Sequence, residues 1–286
     1  MAETGIPSKW SDLSTRMISA GVIVLLALGA LFGGALTWSI FVLAIYVLML
    51  RELAKLCEPD IPTARRWVIA CLPVAVLAVV MLTLGADAPE GDVVALAWSV
   101  ARLGFLASLL VAVVPIAVGL FLIRGSQRIW LAYGLLLATA ALSLSFGQVL
   151  AGPGAILALV GIVVISDIGG YFAGRALGGP KFWPKISPKK TWSGTVAGWI
   201  GAAIFGALIG PDLTGATWWL CAIGAVVLAF AGQMGDIAES WMKRRAGVKD
   251  SSSLIPGHGG VLDRLDALVA VAALAGVGAW IAGLPA

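Results

Sequence analysis

The sequence predicts an all-α, polytopic membrane protein of about nine transmembrane helices, with its amino terminus cytoplasmic and its carboxyl terminus outside. Three observations lead there. Of the 286 residues 60% are apolar and only 12% charged, whereas an ordinary soluble domain carries about 25% charged residues. Met17 to Leu50 contains no charged side chain, a longer run than the roughly 20 apolar residues that carry a helix across a bilayer. Lys and Arg, finally, gather in every second loop between the apolar stretches, as they do on the cytoplasmic side of membrane proteins.

Apolar windows place spans near 17 to 33, 35 to 50, 67 to 85, 99 to 123, 129 to 150, 154 to 174, 193 to 210, 216 to 235 and 261 to 283. Gly33-Gly34 breaks the first pair. Lys9 and Arg16 precede the first span, and an uncleaved first helix is simpler than a signal peptide, given the spans that follow. Arg51, Lys55, Arg65 and Arg66 fall in the second loop, Arg124 and Arg128 in the fourth. The sixth adds Arg175, Lys181, Lys185, Lys189 and Lys190, the eighth Lys243, Arg244, Arg245 and Lys249. The opposite loops, 33 to 34, 86 to 92, 151 to 153 and 211 to 215, hold none. An even number of spans would break this alternation. Arg102, at the start of the fourth span, reads as a side chain snorkelling to the outer interface.

Topology also accounts for the net charge of +4, so no nucleic-acid partner is expected. Cys57, Cys71 and Cys221 form no CxxC pair and read as small packing residues. Gly29/Gly33, Gly170/Gly174, Gly194/Gly198 and Gly206/Gly210 have the GxxxG spacing that lets helices approach closely. They read first as internal packing, with a dimer interface as the alternative.

Two regions follow: 1–150, about five spans, and 151–286, about four spans with cytoplasmic loops at 175–192 and 236–260. Ionisable groups within spans are expensive and usually functional, and they concentrate in the second region. Asp167 lies late in span six, Asp236 ends span eight, and Asp263 and Asp266 begin span nine. All four reach the membrane face that carries the richest basic loops. Carboxylates beside cations suit a metal and a polyphosphate, since Mg²⁺ takes hard oxygen ligands and Lys and Arg neutralise remaining charge. Asp236, Glu239 and Ser240 share one helix face, as do Asp263 and Asp266. The loop from Lys249 and Asp250 to Gly260 is rich in small residues and leads into a helix amino terminus, which suits phosphate. Neither a Walker A string nor GxGxxG occurs. His258, the single histidine, is flanked by glycines and reads as a substrate contact; Lys189 and Lys190 read equally as topology signals or phosphate contacts.

Ser240-Trp241-Met242-Lys243-Arg244, Lys249-Asp250 and Pro256-Gly257-His258-Gly259-Gly260-Val261-Leu262-Asp263-Arg264-Leu265-Asp266 are similar to the signature of phosphatidate cytidylyltransferases. Ser166-Asp167, Tyr171 to Arg175 and Ser187-Pro188-Lys189-Lys190-Thr191 resemble the same family, whereas residues 1–150 resemble it only as apolar spans. The resemblance implies a helical enzyme of the cell inner membrane, with its active site facing the cytoplasm. It implies condensation of CTP with phosphatidic acid to CDP-diacylglycerol and pyrophosphate by a homodimer. Carried over, Asp236 and Asp263 would hold Mg²⁺, with Asp167 and Glu239 as further candidate ligands and K⁺ as a candidate companion ion. Lys249, Arg264 and His258 would join them in catalysis. Lys189, Lys190, Ser187, Ser240, Asp250, Asp266 and Arg175 are the candidate substrate contacts. The readings that remain open are a cytidylyltransferase for another lipid phosphate, a cation or proton transporter, and a silent scaffold.

Overall fold

The computed structural model describes residues 9–84 and 93–283, which are almost wholly helical. In chain order they form α1 Lys9–Phe32, α2 Ala35–Cys57, α3 Thr63–Leu84, α4 Val93–Leu122, α5 Gln127–Leu177, β1 Lys181–Trp183, β2 Ser187–Thr191, α6 Trp192–Thr214, α7 Trp218–Arg245 and α8 Leu262–Ile281. The expected loop at 86 to 92 lies outside the described residues, and so does the side chain of Arg102.

Among the described residues eight helices stand where nine spans are expected, because the predicted loop at 151 to 153 is a kink inside α5. Gly152 has φ 78 and ψ 177, a conformation open to glycine, and Pro153 follows it. The two halves fold back on each other: Ile156 Cδ1 comes within 3.5 Å of where a Cβ on Gly147 would lie. In a straight helix nine residues rise about 13.5 Å. Three other boundaries differ. α7 continues through Arg245, so Asp236 to Lys243 are helical rather than part of a loop from 236 to 260. α6 runs past Pro211 to Thr214. The segment expected as a plain loop at 175 to 192 finishes α5 and then makes a two-stranded antiparallel hairpin, Lys181 opposite Thr191 and Trp183 opposite Ser187.

By length and composition five described helices can cross a membrane, α5 to α8 and Thr63–Val80 of α3. Large apolar side chains face outward, among them Phe121, Trp280 and Leu36, as on a lipid-facing surface. Inside, α2, α4, the first half of α5 and α8 share one core around Leu50, Leu53, Trp130 and Leu262. Two polar tips inside it are satisfied by backbone: Tyr46 Oη donates to the Ala112 carbonyl at 2.7 Å and Trp130 Nε1 to that of Ile116 at 2.9 Å.

Three of the four GxxxG pairs pack internally. A Cβ on Gly194 would lie 2.4 Å from the Gly170 carbonyl oxygen, and one on Gly198 2.7 Å from that of Ser166. The α5 and α6 backbones therefore touch along this line. Gly206 and Gly210 seat α6 against Cys221 and Ala225 of α7 in the same way. Gly29, by contrast, faces open space. All three cysteines are free.

Candidate active site

The close α5–α6 contact leaves a cavity of about 580 Å³ between their polar ends, the hairpin and α7. Asp167 from α5 and Asp236 from α7 face it, as do Arg175, Lys181, Lys189 and Lys190. Cations outnumber carboxylates on its wall, which favours polyanions. Lys190 pairs with Asp236 across the cavity. Ser240 Oγ, one turn on, donates to Asp236 Oδ1 at 3.3 Å. Arg175 is steadied by Tyr171, whose hydroxyl accepts from Nη1 at 3.0 Å. Thr191 caps α6 by accepting from Gly194 N at 3.3 Å, so the hairpin that presents the lysines is fixed to the helix behind them. The buried Gln233 accepts from Trp199 Nε1 at 2.9 Å and lines the cavity floor.

A second polar cluster lies one turn further along α7. Glu239, fully buried, and Asp263 at the start of α8 share one ammonium: Lys243 Nζ is 2.5 Å from Glu239 Oε2 and 2.8 Å from Asp263 Oδ1. Asp263 Oδ2 accepts from Gly260 N at 2.7 Å and from Ser251 N and Oγ at 2.9 Å each. Antiparallel α7 and α8 meet at Gly235, where a Cβ would lie 2.6 Å from the Asp266 carbonyl oxygen. Asp266 Oδ1 accepts from the Ala267 amide at 2.8 Å.

Asp236 and Asp263, expected on one metal ion, are thus each held by a different lysine, and among the described residues no group of three acidic, His or Cys side chains stands ready to hold a metal. The donor set still suits a hard cation. Oε1 of the buried Glu239 carboxylate has no hydrogen-bond partner, and the Lys243 ammonium against Oε2 lies where positive charge is required.

The loop from Ala246 to Val261 connects the clusters. Lys249 and Asp250 are exposed on it, and neither they nor the half-buried Ser187 on β2 line the cavity wall. His258 Nδ1 lies 2.8 Å from Ser19 Oγ of α1. Arg264 donates through Nε and Nη2 to the His258 carbonyl, at 2.9 and 2.7 Å, so its fork braces the loop tip. Sequence reasoning missed Glu52, Ser19, Ser251 and Gln233 and read Lys243 as a topology signal. Only Glu52 carried a warning, as an acidic residue at the edge of a long apolar run.

A sequence model of the cytidylyltransferase family matches residues 14–280. The chain belongs to that family. The phosphatidate cytidylyltransferase of Pseudomonas aeruginosa is 34% identical over 280 residues, 95% of this chain and 98% of its own length. That of Brucella suis is 49% identical over 152 residues, 52% of this chain, and the match spans 56% of its length. That of Helicobacter pylori is 39% identical over 118 residues, 41% of this chain and 44% of its own.

Proposed function

We propose that this chain condenses CTP with phosphatidic acid at the cytoplasmic face of the inner membrane, giving CDP-diacylglycerol and pyrophosphate. What supports this reading most is the cavity in which Arg175, Lys181, Lys189 and Lys190 face Asp167 and Asp236, in a chain of the cytidylyltransferase family. A phosphatidate oxygen, already ionised, attacks the α-phosphorus of CTP. The new P–O bond forms as the bridge to the β-phosphorus breaks and pyrophosphate leaves. Two polyanions must meet, so neutralisation and in-line positioning are the main demands and no strong base is needed.

Lys189, Lys190 and Arg175 hold phosphates on the cavity wall. Lys249 and His258 approach from the loop that Arg264 braces, and Ser187, Ser240, Asp250 and Asp266 orient these groups. Asp236, Asp263 and Glu239, with Asp167 beside them, are the residues that would hold Mg²⁺, with K⁺ as a companion ion. Bound there, Mg²⁺ would neutralise triphosphate charge and polarise phosphoryl oxygens. Nine crossings, with α5 counted twice, are supported by the Lys and Arg alternation, and a homodimer by the family resemblance. Purified protein in mixed micelles, given CTP and phosphatidic acid, should release pyrophosphate in step with CDP-diacylglycerol only when Mg²⁺ is present. Turnover with an isoprenoid phosphate but not phosphatidic acid would replace the substrate in this reading.

A further inference from the structure

Glu52 belongs to α2, in the half of the chain that carries none of the signature, and only 1% of it is exposed. Its neighbour Arg51 turns away to lie over the Trp67 ring, 4.7 Å from the centroid. Four uncharged donors converge on the Glu52 carboxylate. Ser252 Oγ at 2.5 Å and Ser251 Oγ at 3.2 Å come from the start of the signature loop. The amides of Leu262 at 2.7 Å and Val261 at 3.1 Å come from its end, where α8 begins. Both ends of the loop are therefore pinned to one carboxylate, whose charge also favours the α8 amino terminus. Gly260 is required for this closeness, since a Cβ there would lie 2.0 Å from Ser251 Oγ and 2.7 Å from Glu52 Oε1.

The link continues to Asp263. Ser251 Oγ has one proton and stands 2.9 Å from Asp263 Oδ2 and 3.2 Å from Glu52 Oε2. That single proton is shared between the two acceptors, so the hydroxyl couples Glu52 to Asp263, whose carboxylate the Gly260 amide fixes from the other side. We infer that Glu52 is a positioning residue for the transfer reaction: through Ser251 and the loop ends it sets the orientation of Asp263. The inference rests on the reaction proposed above. A plain helix cap would contribute stability and leave turnover per folded molecule untouched.

The full chain with Glu52→Gln places an NH₂ group among N–H and O–H donors while keeping side-chain size. Its kcat should fall about 10²-fold, the scale of a misplacement near 1 Å, with KM for CTP within about threefold of the parent, and Glu52→Asp should recover part of the loss. Ser251→Ala should reproduce the kcat defect without touching the α8 amides. Ser252→Ala, which meets Glu52 but not Asp263, should lose at least about ten times less. Parental kcat in folded Glu52→Gln or Ser251→Ala, or equal defects in the two serine variants, overturns the inference. If Glu52→Gln does not fold, the serine pair decides alone. A parent that releases no pyrophosphate from CTP and phosphatidate removes the reaction instead. Amide exchange over residues 250–262 then decides the pinning: faster exchange in Glu52→Gln supports it and unchanged exchange refutes it.

Discussion

Asp236 of α7 is paired with Lys190, whereas Glu239 of α7 and Asp263 of α8 share Lys243, and this arrangement governs what substitution should do. Asp236→Asn and Asp263→Asn each remove one charge from the proposed metal site, and each should lower turnover by about 10²-fold or more. The double variant should lose little beyond either single one, because groups acting as a unit are not additive. Turnover of the three proteins, titrated with Mg²⁺ and checked for folding, measures this; parental activity in one single variant would remove that residue. Lys243→Met leaves Glu239 and Asp263 without their shared cation, and breaking such a buried pair costs about 3–5 kcal/mol. Its thermal midpoint should fall, and added Mg²⁺ should raise it more than it raises the parent's; an equal response would count against a cation site there. Asp236 and Asp167 stood out in the sequence because a charge inside or at the end of an apolar span has few reasons to exist. Glu52, Ser251 and Ser19 did not, because what gives them meaning is a partner some 199 to 239 residues away.

Helix lengths follow from where apolar windows end only when polarity marks the end of the helix. α7 breaks that link: its last turns are polar yet helical, with Asp236 and Ser240, and Glu239 and Lys243, joined at i,i+4 spacing. The hairpin was missed because it is short and carries Pro184 and Pro188, which weaken a strand pattern. The glycine pairs were legible as close packing but not as which helices meet. Gly194→Ala tests that contact. Its methyl group would press on the Gly170 backbone rather than on a side chain that can move, so a loss of about 1–3 kcal/mol is expected, together with reduced activity as α6 shifts at the cavity wall. Gly152→Ala meets no neighbour within 4 Å, so its cost should be purely conformational, about 1–3 kcal/mol, with activity per folded molecule retained. Denaturation midpoints and specific activities of the pair separate crowding from backbone strain.

Across the whole molecule, sidedness is the expectation that the sequence states most directly, because Lys and Arg in the loops bias insertion and need no tertiary contact. It predicts that cysteines placed at positions 189 and 249, in a chain lacking Cys57, Cys71 and Cys221, react with an impermeant reagent only in opened membranes. A cysteine at position 286 should react in intact cells. Labelling at 249 from outside would overturn the nine-crossing arrangement. What sidedness could not reveal is that the two regions are not independent. The core joins α2, α4 and α8, and the signature loop closes onto α2.

That closure has a consequence in time. Glu52 and the Leu262 amide it accepts from are 210 residues apart, and at synthesis rates of about 5–20 residues per second the carboxylate waits roughly 10–40 s for this donor. Throughout that interval α2 carries a polar carboxyl group that the finished protein keeps from water, so its end has to stay at the aqueous interface until the last helix arrives. The signature loop is therefore among the last parts of the chain to settle, and a nascent enzyme remains unfinished until its final helix has been inserted.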